Sequence, residues 1–272
     1  MRIFLAGTYA RKFVVEETVN GGAVKKYADR ADFYGDAMKL QRPYILESFF
    51  YADKDTERLI PYFGDFLLDS GAYTFFTSGK NKHQTFDWDD YLRRYADFIN
   101  RNNVEKFFEL DIDQIIGYDR VLKLREKLEA LTGRRCIPVW HSNRGKEEFL
   151  RMCREYDYVA IGGLVGAGKT SEYARKYQKF FTWFIDKANE NGAKIHGLGF
   201  TQIPALRQYH FDSVDSTSWT TGNRFGHIYR FTGRDIEVFQ APPGHRIENS
   251  REAALRNFIE WVKFQQYADK HL

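Results

Sequence analysis

Short apolar runs recur along the chain, each bounded by polar residues or glycine. They cover residues 2–7, 44–51, 66–73, 106–113, 136–141, 158–163, 194–200 and 213–219. Their length and their β-branched and aromatic content predict strands. Several of the stretches between them change to a helical period. Residues 90–101 place Tyr91, Tyr95, Phe98 and Ile99 on one face, and residues 121–131 are rich in Leu, Lys and Glu. Residues 171–191 repeat aromatics at helical spacing, and residues 251–268 stack Leu255, Phe258, Ile259 and Val262 at i, i+3, i+4 and i+7. Strands that are apolar throughout, with helices between them, predict parallel pairing covered on the outside. Eight of them predict an α/β fold, a single (β/α)₈ TIM barrel over residues 1–272. An open doubly wound sheet is the alternative. No Pro/Gly/Ser linker or composition break divides the chain, and no internal repeat exceeds the βα alternation.

Two long connections interrupt the rhythm. Residues 74–89 follow the third strand and contain Lys80, Lys82 and His83. Residues 220–250 follow the eighth, with Arg224, Arg230 and Arg234 among Phe225, Tyr229 and Phe231. Residues 227–239 predict a hairpin around Thr232-Gly233. Both insertions follow the C-terminal end of a strand, which places them at the mouth of a barrel. Basic and aromatic side chains interleaved there suit phosphate contacts and base stacking; a solvated hairpin with ordinary charges is the plainer reading.

Composition narrows the class. The chain is 43% hydrophobic and 17% aromatic, which is enough for a sizeable core, and its net charge of +4 permits a polyanionic partner without requiring one. Two cysteines, Cys136 and Cys153, make no disulfide framework and no CxxC pair, as expected for a reducing cytoplasm. The first residues carry too short an apolar run for a signal peptide, and no run approaches the ~20 residues of a membrane span. A cytoplasmic protein without a membrane partner is therefore expected.

The candidate chemistry sits at the strand ends, where barrel enzymes place theirs. The third strand ends Leu68-Asp69-Ser70-Gly71, the fourth Glu109-Leu110-Asp111-Ile112-Asp113 and the fifth Trp140-His141. The sixth ends in Gly162-Gly163, the seventh His196-Gly197-Leu198-Gly199 and the eighth Val214-Asp215-Ser216. A lone aspartate in such a place can be a helix N-cap. Several converging on one opening repel each other, a standing cost that an acid–base site tolerates. A carboxylate pair at one mouth can perform glycosidic chemistry, one attacking the anomeric carbon and the other moving protons.

A competing motif is Gly163-Leu-Val-Gly-Ala-Gly168-Lys169-Thr170, which satisfies the phosphate-loop pattern between a strand and a helix. No later apolar strand ends in an aspartate resembling the metal ligand such a site needs. The strand also stands sixth in the series, where phosphate loops usually follow an early one. A P-loop NTPase is kept as an alternative.

Three segments resemble the tRNA-guanine transglycosylase superfamily. Leu68-Asp69-Ser70-Gly71-Ala72-Tyr73 resembles its D-S-G-[GS]-[FY]-Q, and Gly162-Gly163-Leu164 its G-G-L. Gly197-Leu198-Gly199-Phe200-Thr201, followed by Phe211-Asp212-Ser213-Val214-Asp215-Ser216, resembles G-V-G-T-P…F-D-C-V-x-P-T-R. Leu110-Asp111-Ile112 is a weaker fourth match. The set keeps the family's order over residues 66–219. The resemblance implies that Asp215 is the nucleophile on ribose C1′ and that Asp69 manages the proton on the base. It further implies that Ser70, Gly71, Asp111, Gly162 and Gly163 contact the purine and that Tyr73 stacks on it. His141 stands where the family usually has Gln, and His196 where it has an apolar stacking residue; both are expected at the substrate.

The family's zinc site, C-x-C-x-x-C followed by His, is missing, and two cysteines cannot build it. No metal and no cofactor are expected. The chain in this respect resembles compact phage transglycosylases that place 7-deazaguanines in DNA. The expected function is exchange of guanine for a 7-deazaguanine of the preQ0 type in DNA, through a covalent Asp–sugar intermediate. The expected partners are DNA, held by Arg224, Arg230 and Arg234, and the free 7-deazaguanine base. A phage origin would place the protein in the host cytoplasm. The same exchange on tRNA is the alternative substrate, a non-catalytic partner subunit the alternative class, and homodimer formation is left open.

Overall fold

The structure, a computed structural model, describes residues 1–8, 14–19, 22–27, 41–72, 74, 86–163, 170–200, 202–221, 226–240, 242 and 250–272. Its centre is a curled sheet of seven parallel strands: β1 (Arg2–Ala6), β4 (Tyr44–Ser48), β5 (Asp65–Asp69), β6 (Val139–Trp140), β7 (Tyr158–Ile161), β8 (Lys194–Gly197) and β9 (Ser213–Ser216). Their order is β5-β4-β1-β9-β8-β7-β6. Two antiparallel hairpins lie apart from it, β2 (Val14–Val19) with β3 (Gly22–Tyr27), and β10 (His227–Phe231) with β11 (Ile236–Gln240). The second is the hairpin expected over residues 227–239; the first is an insertion after β1 that the apolar pattern did not announce.

The helices in chain order are α1 (Lys54–Leu59), α2 (Trp88–Arg101), α3 (Asp113–Ile116), α4 (Tyr118–Thr132), α5 (Gly145–Glu155), α6 (Thr170–Glu190), α7 (Ile203–Gln208) and α8 (Ser250–His271). The four helical stretches of the sequence are α2, α4, α6 and α8. Among the described residues no helix is long and apolar enough to cross a membrane.

Alternation along the strands separates outward-facing from inward-facing core residues, and a further cluster of Leu68, Tyr91, Tyr95, Leu124 and Leu128 packs under α2 and α4. Ile3 and Leu5 of β1, Ile45, Val159, Ile161, Ile195 and Val214 join Phe149, Phe181, Phe184, Phe258 and Trp261 in an outer layer under the helices. Phe4 and Ala6, Leu46, Leu67, Val139 and Ala160 point the other way and meet Phe108 and Ile137 in an inner cluster. Both faces are buried, so β1, β5 and β7 are largely apolar, as parallel pairing demands, whereas β9 (Ser-Val-Asp-Ser) buries polar side chains.

Residues 106–113, expected as the fourth strand, hold strand geometry only briefly. Leu68 bridges Phe107 and Phe108 bridges Ile137, both in parallel, with Phe108 N donating to Leu68 O and Ile137 N to Phe107 O at 3.0 and 2.8 Å. The Tyr95 hydroxyl of α2 lies 3.1 and 3.0 Å from the carbonyl oxygens of Leu68 and Phe108 and braces that junction. The chain then leaves for α3. Several other strands stop short of their expected ends, because the last residues bend into the connections: 49–51 and 218–221 are 3₁₀ turns.

The last helix ties the fold together through buried amides. Gln265 Nε2 donates to the carbonyls of Ile3 and Tyr44 at 2.6 and 2.9 Å. Asn257 accepts from Tyr229 N at 2.8 Å and donates to His227 O at 3.0 Å, which fastens β10 onto α8. Leaving such a buried backbone group unpaired costs about 1–3 kcal/mol.

Candidate active site

A cavity of about 270 Å³ opens at the C-terminal ends of the strands, and Gly7, Ser48, Asp69, Gly163, Gly199 and Asp215 contribute to its wall. These residues come from β1, β4, β5, β7, β8 and β9 or the positions just after them. Asp69, Gly163, Gly199 and Asp215, which pattern analysis placed at strand ends, are thus brought to one opening by the parallel arrangement of the sheet.

Asp69 closes β5. Its Oδ2 accepts the Gly71 N–H at 3.0 Å. Gly71 has φ +69°, and a Cβ there would collide with Ser48 and Phe50, so glycine is required for this return of the backbone onto the carboxylate. Burial raises the Asp69 carboxyl to about 6; the Gly71 N–H and Ser48 hydroxyl pull it down, and the charges of Asp111 and Asp215 push it further up. A carboxyl near 6 can both give and take a proton close to neutrality.

Asp215, 8% exposed, is held from one side. Its Oδ1 accepts the Gly199 N–H at 2.6 Å and faces His196 Nε2 at 3.2 Å. His196 is fully buried beside the rings of Phe108 and Phe4. Its Nδ1 lies 2.5 Å from Ser213 Oγ, and Ser213 Oγ in turn meets the Tyr158 hydroxyl. The structure therefore places His196 behind Asp215, with no exposed surface for a substrate.

Beside the cavity lies a second polar cluster. His141 Nε2 is 2.6 Å from Asp111 Oδ1. Burial opposes the charge of His141, yet the hydrogen bond and charge of Asp111, helped by Asp113, outweigh burial and Arg144 and raise its pKa. Arg144, whose side chain is 1% exposed, reaches Glu109 at 3.1 Å, Asp113 at 3.1 Å and Asp111 at 3.6 Å. Arg125 pairs with the other oxygen of Glu109 at 2.6 Å, and Val139 N donates to Glu109 at 2.9 Å. Gly162 packs on the far face of His141, where a Cβ would come within 2.5 Å of Cε1. Asp111, Asp113 and His141 offer ligand atoms within 4.8 Å of one another, a spacing a metal ion could use. The Arg144 guanidinium already supplies positive charge to both carboxylates.

Of the residues expected at the site, Asp69, Gly163 and Asp215 line the cavity and Gly71 supports Asp69. Ser70 is buried, its carbonyl accepting from the Tyr91 hydroxyl at 2.5 Å. Asp111, His141 and Gly162 form the neighbouring cluster. Arg230 on β10 and Arg234 in the β10–β11 turn are exposed. Tyr73, Arg224 and Lys169 with most of its phosphate-loop motif lie outside the described residues. Pattern analysis missed Arg144, Ser213 and Tyr158. Arg144 follows His141 by three residues in an ordinary polar stretch, and Tyr158 and Ser213 meet only across strands.

No family model matches the chain, and no curated protein matches it. Among solved structures, the chain is similar to a protein assigned as a fructose-1,6-biphosphate aldolase from Coccidioides immitis, with 10% identity, TM-score 0.51 and coverage of 99% of this chain and 89% of that one. It also matches the carboxyl transferase domain of Rhizobium etli pyruvate carboxylase with 3-bromopyruvate, at 12% identity and TM-score 0.48 over 98% of this chain. The chain spans about half of that structure, 48% of its length. The aldolase likeness is one of fold alone, an α/β barrel-like arrangement.

Proposed function

We propose that the sheet closes through residues 106–109 into a (β/α)₈ barrel and that the chain is a base-exchange enzyme, a guanine/7-deazaguanine transglycosylase acting on DNA. The observation that carries this reading is the pair of unlike carboxylates in one cavity. Asp69 is raised to about 6 and suited to proton transfer, while Asp215 is held through one oxygen by Gly199. Their separate settings suit the separate roles that glycosidic exchange requires.

In the first step an Asp215 carboxylate oxygen attacks C1′ of the deoxyribose. The C1′–N9 bond breaks, its electron pair passes to the base, and the Asp69 carboxyl supplies the proton that lets guanine leave neutral. In the second step the Asp69 carboxylate takes the N9 proton of the incoming 7-deazaguanine. That nitrogen attacks C1′ and the Asp215–sugar bond breaks. Two inversions retain configuration, and the protons balance over the cycle. In this reading Asp111 and His141, with Gly162 and Gly163, contact the purine edge.

DNA is preferred over tRNA because two cysteines are too few for the zinc subdomain of the tRNA enzymes, and the chain instead carries the β10–β11 hairpin with exposed Arg230 and Arg234. Reaching C1′ requires the target base out of its stack, which costs a few kcal/mol in a duplex. The test is incubation with labelled guanine or 7-cyano-7-deazaguanine and, separately, duplex DNA, single-stranded DNA and tRNA. Label is expected in DNA; label in tRNA and in no form of DNA would reverse the substrate, and label in none would remove the reading.

A further inference from the structure

We infer that His196 is a positioning residue, held as a neutral imidazole with its proton on Nε2, and that it selects Oδ2 of Asp215 as the reacting oxygen. This rests on the reading of Asp215 as nucleophile. Four groups in a row carry it. Asp215 Oδ1 is only an acceptor, so the His196 Nε2 at 3.2 Å must present a hydrogen to it. A neutral ring then has a bare Nδ1, which accepts from the Ser213 hydroxyl at 2.5 Å. With its own proton used, Ser213 Oγ accepts from the Tyr158 hydroxyl. Every proton in the chain has one direction, and the chain ends on the carboxylate.

The opposite assignment fails at the carboxylate. A proton on Nδ1 alone would turn the Nε2 lone pair against Oδ1. A doubly protonated ring would place a cation at a fully buried position between Phe4 and Phe108, with only one carboxylate in hydrogen-bond contact and a large cost of desolvation.

The consequence lies at the other oxygen. Gly199 N–H and His196 Nε2–H both land on Oδ1, and among the described residues Oδ2 accepts no hydrogen bond. The two donors hold the carboxylate plane while leaving the Oδ2 lone pairs available. When Oδ2 bonds to C1′, Oδ1 becomes the carbonyl oxygen of the ester, and the same donors still serve it. The carboxylate need not turn between the two steps, which is where orientation shortens a barrier.

The experiment has two arms. In the first, ¹⁵N-histidine-labelled protein is observed by NMR near neutral pH, with the His196 ring assigned by its loss in His196→Gln. One protonated and one bare ring nitrogen, with the proton on Nε2, is expected; two protonated nitrogens, or a proton on Nδ1 alone, would overturn the inference whatever the protein catalyses. In the second arm, base exchange is measured for His196→Leu and for the milder Ser213→Ala and Tyr158→Phe, each checked for a native melting transition. His196→Leu is expected to lower kcat about 100-fold with KM within about threefold, as loss of alignment does. Ser213→Ala should lose less and Tyr158→Phe least. Full kcat in folded His196→Leu, beside an inactive Asp215→Asn, would sink the positioning role and leave the nucleophile standing. An active Asp215→Asn would instead remove the reading beneath it.

Discussion

Two acidic clusters sit side by side at the strand ends, and they are built on opposite electrostatic plans. Glu109, Asp111 and Asp113, on one short stretch, face Arg125, Arg144 and His141 at 2.6–3.6 Å. Asp69 and Asp215 come from strands far apart in sequence, and the charge of Asp215 adds to burial in raising the Asp69 carboxyl. Among the described residues neither meets an Arg or Lys; Asp69 is served by the Gly71 N–H and the Ser48 hydroxyl, and Asp215 by the Gly199 N–H and the imidazole of His196. Matched charge holds a structure in one state. Carboxylates served by fixed dipoles keep their oxygens available and their protons exchangeable, which is what chemistry needs.

Four substitutions break or sharpen this contrast. The largest effect is expected at the unmatched pair. Asp215→Asn should lower exchange by more than ~10³-fold with the fold and nucleic-acid binding retained, because no neighbouring group can form the sugar link. Turnover close to that of the parent in a single-turnover assay would refute the assignment.

In the matched cluster the damage should fall on stability. Arg144→Met strands Glu109 and Asp113 without one of their cations and should cost about 3–5 kcal/mol in chemical denaturation, as removal of one partner of a buried pair does. A loss under about 1 kcal/mol would show that water, not the guanidinium, neutralises these carboxylates.

Asp69→Asn should abolish exchange and yet stabilise the protein. The folded state holds this carboxyl at about 6 against an ordinary 3.8. Its contribution is therefore fully present below 3.8 and lost as pH rises through about 6. The neutral amide escapes that loss, so the variant should gain on the order of 1–3 kcal/mol at pH 7 and nothing near pH 3. A gain independent of pH would separate the effect from ionisation.

The smallest effect is expected at the edge between the clusters. Asp111→Asn removes the bond and charge that raise His141, so the His141 midpoint in an NMR titration should fall. In the parent the raised value adds stability below the ordinary 6.5 that is lost as pH rises through the folded midpoint. That acid-side stabilisation should vanish in the variant, and an unmoved His141 midpoint would show that Asp111 is not its partner in solution.

Much of this was legible in the chain, element by element. Seven of the eight expected strands are the seven of the sheet, because burial on both faces leaves a mostly apolar run in β1, β5 and β7 and a short apolar core in the others. Residues 106–113 shared that signature and keep only two bridges, since Asp111 and Asp113 turn away to meet Arg144. The β2–β3 hairpin was missed although Asn20-Gly21 separates its strands, a dipeptide typical of two-residue turns; its strands mix apolar with charged positions and leave no apolar run to notice. His196 was expected at the substrate because its position in the motif lies among contact residues. Its side chain instead points inward from β8 toward Ser213 and Asp215.

The amino-acid sequence by itself determined the seven strands of the parallel sheet, the order in which they follow one another and which polar side chains stand at their ends. Those properties follow from local periodicity, and a parallel sheet translates them directly into one crowded mouth. It did not determine which carboxylates would be neutralised, which oxygen of Asp215 would be held, or that the Asp69 carboxyl would rise to about 6. Those were decided by distances between residues that are 16 to 35 positions apart in the matched cluster and far more than that between β5 and β9. Coulomb energy and desolvation depend on separation and enclosure in space, and neither quantity exists until the strands are side by side.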